Sequence, residues 1–203
     1  MDWNDFEQRL RARLTPLDRL DEIAQRGDRD LNPDWSDPQS FREAAVLAPI
    51  VRRPEGWTML FTERAADLPH HPGQVAFPGG RVEERDRGPL GAALRETEKE
   101  IGLSRAFITP LGASDAYFSG TGFRITPIVA FVTPGFELRV DPREVADVFE
   151  TPVSFLMNPE NHERREGEFR GRRGAYYAMP HEGRFIWGVT AGMIRALYER
   201  LYD

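Results

Sequence analysis

Glu96 and Glu100 are four residues apart, so on a helix they share one face. Two carboxylates so placed can grip one hard cation such as Mg²⁺ or Mn²⁺, which prefers oxygen ligands. Gly79 and Gly80 lie upstream, and paired glycines let backbone come close to a ligand or a metal. A cation held there can bind pyrophosphate oxygens, offset developing charge and sharpen a water nucleophile. The plainer reading is a solvated acidic helix face with Arg95 and Lys99 as its counter-ions.

Lys99 stands three residues after Glu96 and one before Glu100, close to the same face, and is the only lysine among 27 basic residues. An ammonium there competes electrostatically with a metal. Three readings stand side by side: a natural variant with a modified site, an inactivating substitution, or a lysine that points away and pairs elsewhere. Glu98 cannot replace a lost ligand, since two positions from Glu96 is about 200° around a helix.

The elements that must position these groups follow from patterning. Leu90, Ala93, Leu94, Thr97 and Ile101 recur at helical spacing, and Gly102 stands at a C-terminal cap position, which predicts a helix over 90–101. Strands are expected over 44–51, 57–62, 74–77, 108–113 and 125–133. Residues 176–179 and 184–187 can pair as a hairpin across Pro180 to Gly183. A closing helix spans 191–201 with Thr190 as N-cap, and Phe6, Leu10 and Leu14 mark a short first helix. The stretch 27–38 reads as a loop, and 144–156 as a turn of helix with a loop. Strands on both sides of one central helix predict a mixed α/β domain. The expected organisation is a single domain over 1–203, with an N-terminal helical extension over about residues 1–40.

Composition narrows the partners. A net charge of −6 argues against a long nucleic acid, whose phosphates demand a basic surface. No apolar run approaches the ~18–20 residues of a membrane span. The first residues show no basic region followed by an apolar stretch, so no signal peptide is expected. Zero cysteines exclude disulfides and thiolate metal sites. A cytoplasmic location is the expectation, and the oligomeric state is left open.

The stretch from Gly80 to Leu103 resembles the Nudix box, Gly-x5-Glu-x7-Arg-Glu-U-x-Glu-Glu-x-Gly-U with U a bulky apolar residue. Gly80, Arg95, Glu96, Glu100, Gly102 and Leu103 match it. Asp86 stands at the first Glu, with eight residues before Arg95 instead of seven; Thr97 replaces an apolar residue, and Lys99 replaces the first of the paired glutamates. Leu60 to Ala65 and Gly73 to Gly80 are similar to the additional signature of the coenzyme A pyrophosphatase branch, except that Pro69 takes the place of an Arg. The runs Gly122 to Pro127 and Ile186 to Ala191 fit the same branch.

This resemblance implies an α/β/α sandwich around a mixed β-sheet. It also implies metal-dependent hydrolysis of coenzyme A, or its derivatives, to 4′-phosphopantetheine and adenosine 3′,5′-bisphosphate. NADH or ADP-ribose is the alternative substrate, and a nucleotide-binding domain impaired by Lys99 the alternative of another class. The implied catalytic residues are Glu96, Glu100 and Arg95. The implied ligands of Mg²⁺ or Mn²⁺ are Glu96, Glu100 and a backbone carbonyl near Gly79. Arg64, His71, Arg81 and Arg124 are candidate substrate contacts. Arg95 is expected to orient a carboxylate through a two-pronged pair. Glu144 is a spare carboxylate, read as facing solvent ahead of a role as base. Arg164, Arg165, Arg170, Arg172 and Arg173 interleave with glutamates, read as self-paired ahead of a cradle for a 3′-phosphate.

Overall fold

The computed structural model describes residues 1–36, 38–169 and 171–203. Its helices are α1 (Trp3–Arg13), α2 (Gly88–Ile101), the single turn α3 (Val153–Leu156) and α4 (Gly188–Tyr202). The strands up to α2 are β1 (Gln25–Gly27), β2 (Arg42–Arg53), β3 (Gly56–Arg64), β4 (Val75–Ala76) and β5 (Gly79–Arg81). After it come β6 (Ile108–Ala113), β7 (Ala116–Ser119), β8 (Phe123–Val132), β9 (Val145–Pro152), β10 (Glu163–Phe169), β11 (Arg172–His181) and β12 (Arg184–Trp187).

The first nine strands form one mixed sheet, and the last three a small antiparallel one. At the centre of the large sheet β2 runs parallel to β8, from Arg42 beside Phe123 to Val51 beside Val132. Side chains alternate along these strands. In β2, Ala48 and Ile50 join one core while Ala45, Leu47 and Val51 join the other; in β8, Val129 and Phe131 oppose Ile128, Ala130 and Val132. The first core is closed by Phe6 and Leu10 of α1, Leu156 of α3, and Ile194, Leu197 and Leu201 of α4. The second is closed by Ala92, Ala93 and Ile101 of α2. Helices therefore cover both faces, the mixed α/β sandwich anticipated above.

Both central strands change neighbours midway. The start of β2 pairs with β5 through Ala44 to Val46, and its end pairs with β3 through Ile50 to Arg53. The far end of β3 pairs instead with β4, while β9 runs along the other edge of β3. Where β3 leaves β2 the sheet opens into a cleft, and the functional groups gather there.

Several elements differ from the sequence reading. Residues 145–152, expected as irregular, form β9 against β3 from Thr58 to Arg64. Thr190 is not an N-cap: α4 begins at Gly188, and the Thr190 hydroxyl donates to the Val75 carbonyl at 3.0 Å. The loop over 27–38 contains a 3₁₀ turn at Asp28–Asp30, and the Asn32 amide bonds both backbone groups of Ala175, at 2.9 and 2.7 Å. No helix among the described residues is long and apolar enough to cross a membrane.

Candidate active site

α2 starts after Arg87 with Pro89 in its first turn, where a missing N–H costs nothing, and ends at Gly102 in the left-handed conformation, φ 67°. Gly102 has a second role. A Cβ there would fall 2.8 Å from the Arg139 backbone nitrogen, so only glycine lets the following chain cross the helix end. That chain satisfies the last carbonyls of α2: Arg139 N–H donates to Ile101 at 2.8 Å and Asp141 N–H to Glu100 at 2.9 Å. Glu144 lies three residues on and is thereby brought over the glutamate face of α2.

Glu96, Glu100 and Glu144 each place a carboxylate oxygen within 4.8 Å of the others. Glu144 is thus the residue the sequence reading undervalued. It was expected to face solvent, and its placement depends on a loop crossing that periodicity cannot show. Three hard oxygen donors in that space suit Mg²⁺ or Mn²⁺. The cluster also accommodates a positive charge within the fold, since Lys99 Nζ lies 2.9 Å from Glu144 and 3.2 Å from Glu96. Lys99 therefore turns into the acidic group. Burial pulls its ammonium pKa down, but the bonds from Glu144 and Glu96 outweigh this and leave it raised.

β5 holds the other side of the cluster. Gly79 N–H donates to Glu100 Oε2 at 3.1 Å, whereas a Cβ on Gly79 would lie 2.4 Å from the Ala45 carbonyl. A Cβ on Gly80 would sit 2.9 Å from Glu96 Cγ. Gly79 is set by the close backbone of β2, and Gly80 leaves room for the Glu96 side chain of α2. Burial raises the Glu100 carboxyl to about 7; the Gly79 N–H and Arg64 oppose this, while Glu96 and Glu144 add to it.

Arg95 does not face the cleft. Its Nε and Nη2 grip both oxygens of Asp86 at 2.7 and 2.8 Å, Nη1 bonds Glu96, and Nη2 also reaches the Arg81 carbonyl at 3.1 Å. The fork ties the loop after β5 to α2 and fixes the Glu96 carboxylate. This pairing holds the Asp86 carboxyl down at about 2. Asp86 thereby serves as the anchor of Arg95 and stands outside the three-carboxylate cluster.

The cleft beside the cluster has a volume of about 250 Å³. Glu100, Gly79, Gly80, Arg64, Arg81 and Phe123 line it, together with apolar residues of β2, β4, β8 and β9. Arg64 Nε is buried there without a hydrogen-bond partner. Buried guanidinium nitrogens are costly to leave unmet. The other two candidate contacts lie elsewhere: Arg124 pairs with Glu43 at 3.0 Å, and His71 lines a separate pocket of about 320 Å³ with Pro69 and Trp187. In the small sheet Arg165 pairs with Glu163, and both Arg164 and Arg173 with Glu166. Arg170 and the Arg172 side chain lie outside the described residues.

Residues 41–173 match the NUDIX domain family. Relatives named "Uncharacterized Nudix hydrolase NudL" include one from Shigella flexneri serotype 5b, 38% identical over 161 residues, which covers 79% of this chain and 83% of the relative. Another, from Cronobacter sakazakii, is 39% identical over 156 residues, 77% of this chain and 81% of the relative. Among solved structures, the Nudix hydrolase RenU of M. smegmatis superposes with a TM-score of 0.55 at 20% identity, covering 80% of this chain and 86% of that one. Nudix hydrolases are pyrophosphohydrolases that generally need divalent metal ions, and this chain belongs to that family.

Proposed function

We infer that the protein hydrolyses the pyrophosphate bond of coenzyme A or its derivatives, giving 4′-phosphopantetheine and adenosine 3′,5′-bisphosphate. The observation that carries this reading is the convergence of Glu96, Glu100 and Glu144 beside a cleft that holds the unpartnered Arg64 Nε. The choice of coenzyme A rests on the run Gly73 to Gly80 and its upstream partner Leu60 to Ala65. A cytoplasmic setting belongs to the same reading.

The three glutamates hold Mg²⁺ or Mn²⁺, with the Gly79 carbonyl a further proposed ligand. When bound, the ion supplies neutralisation of pyrophosphate oxygens and a more nucleophilic water. Arg64 and Arg81 bind phosphate oxygens from the cleft walls, and Arg95 keeps Glu96 in position. Water adds across the P–O–P bridge, one bridging P–O bond breaks, and each product leaves with one of the two phosphoryl groups.

Turnover of coenzyme A, NADH and ADP-ribose with Mg²⁺ and with Mn²⁺ tests the assignment. The highest kcat/KM is expected for coenzyme A, with the two products above in equal amounts. A higher kcat/KM for NADH or ADP-ribose overturns the coenzyme A reading and leaves the family chemistry standing.

A further inference from the structure

We propose that Lys99 is a tethered cation occupying one of the positive positions of the carboxylate cluster, so that this chain takes up a single divalent ion. The inference rests on the metal-site reading above and adds its stoichiometry and its built-in counter-charge.

The geometry is specific. Lys99 Nζ bridges Glu96 Oε2 at 3.2 Å and Glu144 Oε1 at 2.9 Å, linking a helix residue to a residue of the loop that crosses the helix end. The other Glu96 oxygen is taken by Arg95, whose own charge is balanced by its fork on Asp86. Glu100 takes no part in the lysine bridge and accepts from Gly79 N–H instead. Three carboxylates with one ammonium leave two negative charges, which one divalent ion neutralises. A second divalent ion would leave the cluster, in which Glu96 and Glu100 are buried, with excess positive charge, and uncompensated charge beside buried groups is expensive.

The residue type fits this role. Every other basic residue of the chain is arginine, and the one lysine stands here. An ammonium is a compact point charge with three rotatable donors, whereas a guanidinium is a broad planar fork. Such a point charge seats between two carboxylate oxygens from different elements much as a metal ion does. Its side chain is 49% exposed, so the ammonium reaches in from the solvent side and leaves the Gly79 side of the cluster to another cation.

Mn²⁺ titration of the metal-free protein, followed by the electron paramagnetic resonance of free Mn²⁺, tests the proposal alongside metal-free Tm. The wild-type chain should bind one Mn²⁺. Lys99→Glu, which adds a carboxylate and removes the ammonium, should bind two. Lys99→Gln should still bind one, at least about tenfold more tightly because the competing charge is gone, and should melt lower without metal because Glu96 and Glu144 lose their bridge. Two Mn²⁺ per wild-type chain, one in Lys99→Glu, or unchanged affinity and Tm in Lys99→Gln would each overturn the proposal. Binding in the variants with none in the wild type also overturns it, since Lys99 then excludes the metal outright. No Mn²⁺ bound by any of the three proteins would remove the metal centre itself, a separate failure that also takes the catalytic reading with it.

Discussion

On one face of the main sheet Phe6, Phe61, Phe77 and Phe131 pack with leucines of α1 and α4, whereas on the other Ala45, Ala92 and Ala93 let α2 lie close against β2. The first face buries large apolar side chains, each worth a few kcal/mol when removed. The second gives up volume so that Glu96 and Glu100 can stand against the Gly79-Gly80 backbone, where they are 7% and 6% exposed. Buried carboxylates oppose folding unless paired. The contrast shows a division of labour: the aromatic face supplies stability that the acidic face spends on binding.

The largest separation of the two should come from Phe6→Ala. Phe6 is fully buried and meets Trp57 edge-on at 5.9 Å. Its truncation should cost about 3–5 kcal/mol, roughly 10 °C in Tm for a chain of this size, with turnover per folded molecule unchanged. Thermal unfolding beside turnover corrected for folded fraction measures this. A parallel fall in corrected turnover would mean that the two faces are coupled.

Glu100→Gln is the converse. It removes a ligand charge at nearly constant volume and should lower turnover about 10²–10³-fold. Metal-free Tm at pH 8 should rise slightly, because burial disfavours the ionised Glu100 that the variant lacks. Turnover equal to wild type at saturating Mg²⁺ would take Glu100 out of the metal site.

Arg95→Lys probes the support of the acidic face rather than its ligands. One ammonium cannot hold both Asp86 oxygens and Glu96 together, so kcat should fall about 10–100-fold with a smaller change in KM. A loss confined to KM would instead point to a substrate contact.

The acidic face was the more legible of the two in sequence because its constraints are local. Glu96 and Glu100 share a helix, Gly79 and Gly80 stand one short loop before it, and Gly102 ends it, so all of these groups lie within one short stretch of sequence. What escaped was long-range. Glu144 arrives through a loop docked on the end of α2, and β9 begins there with Val145, Val148 and Phe149 mixed with acidic residues. β10 reads Glu-Arg-Arg-Glu-Gly-Glu-Phe and has no apolar alternation to signal a strand; its pairing with β11 supplies the order. The parallel partnership of β2 with β8 also leaves no local mark, since both are simply apolar runs.

The smallest effect concerns the sign of pH dependence on each face. The aromatic side has a buried titratable group, His162, which is 8% exposed. Its Nε2–H donates to the Leu156 carbonyl at 2.7 Å, while Nδ1 is buried without a partner, so a second proton has nowhere to bond. Burial lowers its pKa below 6.5 and Arg195 adds to this, against the Leu156 bond and Glu199. The folded state therefore binds the proton more weakly than the unfolded chain does. The stability this contributes is complete above pH 6.5 and is lost as pH falls through 6.5 to the folded value. Glu100 has the opposite sign. Its folded carboxyl is raised from 4.5 to about 7, so its contribution is present below pH 4.5 and lost as pH rises towards 7. Tm measured on metal-free protein from pH 5 to 7.5 should accordingly rise less with pH in His162→Gln than in the wild type, and more in Glu100→Gln. Slopes shifting the same way in both variants would mean that the two faces do not differ in how burial acts on their charges.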